Sequence, residues 1–343
     1  MSRPLTVLLP VRNHARFLRA AVGSILGQSF QDFDLLVVDD ASSDGSRELL
    51  ESLGDPRLRV LRNHEPLGLP ATLNRGLRET SSTWVARQDA DDVSEPQRLE
   101  RQLAFLGRRP DLSLLGTEGS MVDEEDRPVG LLRASIEHGT LLWGLLFDNC
   151  FVHTSVVFRR DHVLELGGYD ASLSRGQDYD LWVRMAACRT VANLAELLVT
   201  RRIGMAVSAE SEDEYSRPNR GILARHHETT LGAPPSEGEH ALLDAFRRGL
   251  HREGIPAMLD LHTRLAGAFS RRHPTAVRSR DFRRALARQF ARMALARGNR
   301  SPSALARVLA RGRGTALAGL AEAARGRLWL QRARAKARGV PRS

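Results

Sequence analysis

The sequence predicts an α/β fold, a mostly parallel sheet flanked by helices, with an α-helical C-terminal appendage. Short apolar runs alternate with helix-period segments through the first third of the chain. Two of those runs deliver acidic residues at their C-terminal ends, where open parallel sheets hold their ligands. Beyond about residue 210 only helical patterns occur.

Leu5 to Leu9 is an apolar run closed by Pro10 and reads as a buried strand. Phe17, Leu18, Ala21, Val22, Ile25 and Leu26 recur at helical spacing and stop at Gly27. Asp34 to Asp39 is a second buried strand, and Ser43-Asp44-Gly45-Ser46 opens a helix through Leu53. Arg57 to Leu61, Leu69 to Leu77 and Trp84 to Gln88 continue as strand, helix and strand. A helix over Leu99 to Leu106, a strand over Leu112 to Gly116 and a polar turn over Asp123 to Pro128 follow. Thr154 to Phe158 is β-branched and apolar, hence a strand; Gly167-Gly168 punctuates, and Asp180 to Ala187 is helical. The polar run Ser211 to Asn219 reads as a linker or exposed loop, so the expected division is 1–210 and 211–343.

The 343 residues carry a net charge of +10, unevenly spread. Residues 271–343 hold 20 basic side chains against two acidic ones, whereas the preceding 270 hold 31 basic and 39 acidic. A mildly acidic body and a strongly basic tail imply different partners. No apolar run approaches the length of a membrane-spanning helix, and Leu5 to Pro10 is too short for a secretory signal. Cys150 and Cys188 have no metal-ligand spacing and are expected as buried thiols. A cytoplasmic location is the expectation.

Three constellations carry chemistry. Trp84 to Asp92 ends a β-like run in three carboxylates, Asp89, Asp91 and Asp92. Carboxylates this close repel unless a cation sits among them, and a strand-end cluster suits Mg²⁺ or Mn²⁺ carrying a diphosphate. The plain alternative is a solvated turn before a helix started at Ser94-Glu95-Pro96. Asp39-Asp40, followed by Ser42, Ser43 and Gly45, suits a base N–H or a ribose hydroxyl, and serves equally well as a helix cap. Asp178 begins a helix-like segment, where the amides favour its charge and where it suits a base; an N-cap role is the competing reading. Pro10-Val11-Arg12-Asn13 follows the first strand in place of Gly-x-Gly-x-x-Gly, and no phosphate-loop motif exists. Phosphates must therefore be held by metal and arginine.

"TVLLPVRN" (Thr6–Asn13), "SILGQSF" (Ser24–Phe30), "VVDDASSDG" (Val37–Gly45), "RQDADDVSEPQRLERQ" (Arg87–Gln102) and "GGYDASLSRGQDYDLWVR" (Gly167–Arg184) occur in order. Together they resemble family 2 glycosyltransferases, inverting metal-dependent enzymes of the GT-A fold, over about residues 4 to 208. The resemblance implies that Asp40, with Asp39 beside it, contacts the base, and that Pro10 and Arg12 line the same pocket. Asp89-Ala90-Asp91 looks like the Asp-x-Asp motif, with Asp91 on the metal and Asp89 on the ribose or the metal. Asp92 can stand in for either. Asp178 matches the catalytic base, with Gln177 where the family usually has Glu. His153 and Trp182 fall on the acceptor side; a lone His is more often structural. Arg201 and Arg202 sit where a mobile segment often closes over the diphosphate, and Arg202 is the expected donor contact.

In the tail, Phe282, Leu286, Phe290 and Met293 share a helical face, with Arg283, Arg284, Arg288 and Arg292 elsewhere. Ser301-Pro302 starts another helix, and Trp329 sits among Arg325, Arg327 and Arg332. Such helices either pack on the body with a solvated basic face or lie on an anionic membrane surface, here the inner face. No nucleic-acid motif is present. The expected activity is transfer of a sugar from a UDP- or dTDP-sugar to a hydroxyl of a glycan, lipid-linked or small-molecule acceptor. A nucleotidyltransferase would need a glycine-rich basic loop after the first strand, and the intact acids oppose a non-catalytic binding protein.

Overall fold

The computed structural model describes residues 3–203, 209–248 and 254–294. They form two units. The first holds the described residues up to Ala134 and from Phe151 to Ile203; the second holds Ser135–Cys150 and the described residues from Ala209 onward.

The first unit is a single mixed sheet. β1 (Leu5–Val11) lies between β2 (Phe33–Asp39) and β4 (Trp84–Arg87), and β3 (Leu58–Arg62) lies outside β2, all parallel. The order β3-β2-β1-β4 brings the carboxyl ends of β1, β2 and β4 side by side. Past β4 the sheet continues through β8 (Val157–Arg159), β6 (Leu112–Val122) and β9 (Thr190–Arg202) to the two-residue β5 (Val93–Ser94), while β7 (Pro128–Leu132) pairs with β6. β8 runs antiparallel to both of its neighbours, and the long β6–β9 ladder is again parallel. Most paired residues therefore stand in parallel ladders, as expected of this fold class. Every residue of β1 is buried, which is why the strand is a continuous apolar run instead of an alternating one.

The helices follow the predicted spacing. α1 (Ala15–Leu26) buries Leu18, Ala21, Val22 and Ile25 against the sheet, Leu18, Val22 and Ile25 contributing about 1.5–3 kcal/mol each. α2 (Ser46–Glu51), α3 (Leu69–Glu79) and α4 (Arg98–Arg108) sit where the pattern placed them. Asp44 serves two helices: its Oδ2 accepts the Ala15 N–H at 2.9 Å and its Oδ1 accepts the Ser46 N–H at 3.1 Å. A 3-10 turn over His153–Ser155 replaces the start of the expected 154–158 strand, and α6 (Arg160–Glu165) and α7 (Gln177–Cys188) follow. β9 has no counterpart in the sequence reading.

The second unit contains α5 (His138–Gly144), α8 (Ala209–Leu231), α9 (Glu237–Arg248), α10 (Ile255–Arg272) and α11 (Arg280–Ala294). Trp143 of α5 is fully buried, edge-on to Phe147, His262 and Phe269 at ring distances of 4.9, 5.3 and 5.3 Å. Asp281 Oδ2 accepts the N–H groups of Ile136 and Glu137, both at 2.8 Å, so a C-terminal acid holds the entry to α5. These contacts explain why Ser135–Cys150 leaves the first half of the sequence to join the C-terminal helices.

Two expectations fail here. Ser211 to Asn219 is not a loop but part of α8. Cys188 is exposed at the end of α7, and only Cys150 is sheltered, burial pushing its thiol up to about 12. Phe282 of the predicted apolar face in α11 is buried, and Arg283 and Arg284 are exposed. The helix expected from Ser301-Pro302 and the surroundings of Trp329 lie outside the described residues. Among the described residues no helix is long and apolar enough to cross a membrane.

Candidate active site

A cavity of about 240 Å³ opens at the carboxyl ends of β1, β2 and β4, lined by Pro10, Arg12, His14, Asp40, Gly68, Leu69, Thr72, Asp89 and Asp91 among others. Five of the expected site residues (Pro10, Arg12, Asp40, Asp89 and Asp91) meet there. Two loops build its rim. Asn13, in the left-handed region at φ 56°, accepts the Ser43 N–H at 2.8 Å through its side chain and gives its own N–H to Ser42 at 3.1 Å. The "VRN" and "ASSDG" segments are thus one stitched structure.

Asp40 is almost wholly buried, and its carboxylate accepts from Asn63 Nδ2 at 2.6 Å and from the N–H groups of Leu67 and Gly68 at 2.8 and 3.0 Å. Burial opposes its charge, but the hydrogen bonds from Leu67, Asn63 and Gly68 outweigh it and hold the carboxyl below its usual range. Asp39 is turned to the loop that follows, accepting the Ser42 N–H at 3.0 Å.

The three clustered acids have separate surroundings. Asp89 accepts from the guanidinium of Arg87, a fully buried residue that the sequence reading did not single out, and its N–H donates to Thr154 Oγ1 at 3.0 Å. Burial would raise Asp89, yet Arg87, His153 and Arg201 together keep it ionised below the normal range. Asp91 is raised, first by burial and then by the Asp89 charge. Asp92 is raised furthest, by burial and by both neighbours. It does not line the cavity; its Oδ1 accepts the Arg202 N–H at 2.7 Å. Beneath the acid loop, Arg98 is fully buried and donates to Gln88 Oε1 at 3.0 Å, Ser94 Oγ at 2.8 Å and the Arg87 carbonyl at 2.8 Å. Burial, with Arg87 nearby, lowers its guanidinium to about 9. Among the described residues no group of three or more His, Cys, Asp or Glu side chains forms a metal cluster on its own.

Arg202 corrects the sequence reading. Its side chain is 6% exposed, donates to the carbonyls of Asp91 and Asp123 and to Asp126, and stacks on Phe17 at 4.3 Å. It braces the acid loop, and it does not line the cavity. Its neighbour Arg201 is exposed, and its charge acts on Asp89, Asp91, Asp92 and His153.

Asp178 lies in the first turn of α7, half-buried. Its charge acts on His153 and Tyr169, as do those of Asp89 and Arg87, so the strand-end acid and the helix-start acid act on the same pair of rings. His153 is lowered by burial and then by Arg87, with Asp178 and Asp89 pulling the other way. The preceding turn is pinned from α3: Asn74 accepts the Tyr169 N–H at 2.9 Å and donates to its carbonyl at 2.7 Å. A side chain at Gly168, whose φ is 75°, would collide with Asn74. Arg184 donates to the carbonyls of Leu166 and Gly168 at 2.7 and 2.8 Å while paired with Asp180. Trp182, expected to border an acceptor, is fully buried; it backs His153 and Tyr169 at ring distances of 6.2 Å each and offers no surface to a ligand.

An α/β sheet with an acidic cavity at its strand ends, and an acid in a later helix, is the class of fold and site that this chain presents. The description Glycosyl transferase family 2 matches residues 6–166. The O-antigen biosynthesis glycosyltransferase WbnJ of Escherichia coli is 30% identical over 207 residues, covering 58% of this chain and 79% of that protein. EpsE of Bacillus subtilis is 32% identical over 186 residues, covering 52% of this chain and 66% of its own length. The chain thus spans just under two thirds of EpsE. Among solved structures, S. aureus TarS 1–349 in complex with UDP superposes with a TM-score of 0.54 at 17% identity, over 92% of this chain and 89% of that one, a likeness of fold. The chain belongs to glycosyltransferase family 2.

Proposed function

We propose that the protein is an inverting glycosyltransferase that takes a sugar from a UDP- or dTDP-sugar and places it on a hydroxyl of a glycan or lipid-linked acceptor in cell-envelope polysaccharide synthesis. One observation carries the reading: Arg12, Asp40, Asp89 and Asp91 line one cavity, and Asp178 bears on the same His153 as Asp89. The complexes of TarS with UDP and UDP-GlcNAc and the O-antigen role of WbnJ support the donor and acceptor classes. Residues 1–210 would form the catalytic region and 211–343 a helical appendage, working at the cytoplasmic face.

A divalent cation fits the donor set. Asp89 and Asp91 present hard oxygen ligands to one cavity, and the charge of Asp89 raises Asp91, a repulsion that a cation relieves. Asp91 and Asp89 would hold Mg²⁺ or Mn²⁺, which when bound offsets charge on the departing diphosphate. Asp40 keeps the Leu67–Gly68 backbone in the cavity wall against which the base is placed. Arg12 at the rim, and Arg201 in place of Arg202, supply positive charge toward the phosphates. Asp178 takes the proton of the acceptor hydroxyl as that oxygen bonds to the anomeric carbon and the bond to the diphosphate breaks. His153 and Tyr169 form the wall beside Asp178. Calorimetry with UDP and Mn²⁺ tests the donor half, and NMR of the product's anomeric configuration tests inversion. Absence of metal-dependent UDP binding would count against the reading.

A further inference from the structure

The first turn of α7 carries Gln177, Asp178 and Asp180, and the structure treats the three differently. Asp180 is buried and paired with Arg184 at 2.7 Å. Asp178 is half-buried, and its charge reaches His153 and Tyr169. Gln177 is 7% exposed, and its Oε1 meets no hydrogen-bond donor among the described residues. The residue before it is Gly176 at φ 74°, which brings no side chain that could supply one.

A buried oxygen without a donor is tolerable on a neutral amide and much less so on a carboxylate, whose charge needs several donors or a cation. Two arginines of this region, Arg184 and Arg87, are already committed. Arg184 is held by Asp180 and two carbonyls, and Arg87 by Asp89. Arg201 on β9 acts on the acid cluster as well as on His153, and Arg175 is exposed in the preceding loop. Among the titratable groups outside its helix, the charge of Asp178 acts on His153 and Tyr169. A second acid at position 177 would lack donors of its own and would compete with Asp178 for the same field.

We infer that Gln177 is a positioning residue for Asp178: a neutral amide at the buried first position of α7 leaves Asp178 as the acid of that turn that meets the acceptor hydroxyl. The inference rests on the reading of Asp178 as the base. Its effect is carried by the charge of the immediate neighbour of Asp178.

The test compares wild type with Gln177→Glu and Gln177→Met, using Asp178→Asn as reference. UDP release is followed with Mn²⁺ across the pH range, using the UDP-sugar that most raises the melting temperature, with water standing in for the acceptor. Gln177→Glu should move the acidic limb of kcat/KM upward by about one pH unit, as a like charge close by does. Gln177→Met should keep the wild-type limb whatever its rate. Thermal unfolding gives a reading independent of turnover. An introduced acid without donors has a folded pKa above its unfolded one, so its penalty is absent at low pH and grows as pH rises. The melting-temperature deficit of Gln177→Glu should therefore close as pH falls from about 7 to about 4. Coincident limbs for wild type and Gln177→Glu, an equal shift in Gln177→Met, or a deficit indifferent to pH overturns the inference. Retained UDP release in Asp178→Asn strikes instead at the reading of Asp178 as base.

Discussion

The Asp92 carboxylate accepts the backbone N–H of Arg202 at 2.7 Å, tying the last of the clustered acids to the end of β9. The Arg202 side chain then returns to the Asp91 carbonyl and to the Asp123–Asp126 turn. This pair ties the acid loop to β9 and encloses both side chains. Arg202→Ala should cost about 1.5–3 kcal/mol in urea unfolding, the range for charged hydrogen bonds lost in a sheltered place. Arg201→Ala should stay within about 0.5 kcal/mol while weakening UDP affinity in calorimetry. A stable Arg202→Ala with weakened UDP binding would return Arg202 to the donor site.

Asp40 anchors the cavity wall by charge as well as by geometry. Asp40→Asn replaces an acceptor with an amide donor facing two N–H groups, and should cost about 1–3 kcal/mol. Because its folded pKa is lowered, the wild-type contribution is fully present above about pH 4 and is lost as pH falls through the lower folded value. Denaturant titrations between neutral and acidic pH should show a shallower loss in the variant than in wild type.

Asp91→Ala should abolish the Mn²⁺-dependent part of UDP binding, a change of at least about tenfold, or about 1.4 kcal/mol. It should also raise stability slightly without metal, since a crowded acid is removed. Equal UDP affinity with Mn²⁺ and with chelator in wild type would exclude the assigned ligand pair.

Asp178→Asn should lower transfer by about 10²–10⁴-fold, the usual contribution of a general base, and leave UDP affinity unchanged. Single-turnover kinetics at saturating donor separates the two, because a loss confined to binding disappears at saturation.

The helical unit should be acid-sensitive. His226 Nε2 donates to the Leu142 carbonyl at 2.9 Å with its Nδ1 3.2 Å from Thr230 Oγ1, and His262 pairs with Gln289 at 2.8 Å; burial lowers each imidazole to about 4. Unfolded histidine titrates near about 6.5, so stability is complete above that value and falls as pH drops toward 4, by up to about 1.4 kcal/mol per pH unit for each. Circular dichroism melts should show this slope, and His262→Gln should reduce it.

Much of the site was legible because strand-end acids leave a local mark. An apolar run that stops at Asp39-Asp40 or at Asp89 announces both the strand and what it presents, and Pro10, Arg12, Asp40, Asp89 and Asp91 do share a cavity. Arg87 and Arg98 escaped notice because a buried arginine looks like any other in an arginine-rich chain, its role depending on carbonyls distant in sequence. The 211–219 segment was misread for the opposite reason: polar composition suits a loop and a helix N-terminus alike.

The sequence by itself determined the α/β class, the order of β1 to β4 with α1 to α4 and the acids at the strand ends, since each follows from periodicity within a few residues. The tertiary structure alone decided which residues of those motifs face the cavity. Asp91 turns toward it and Asp92 toward β9; Arg201 is exposed and Arg202 enclosed; Trp182 sinks into the core behind His153. Adjacent residues point to different sides of the backbone, and which side is cavity depends on strands and helices that the local sequence does not contain.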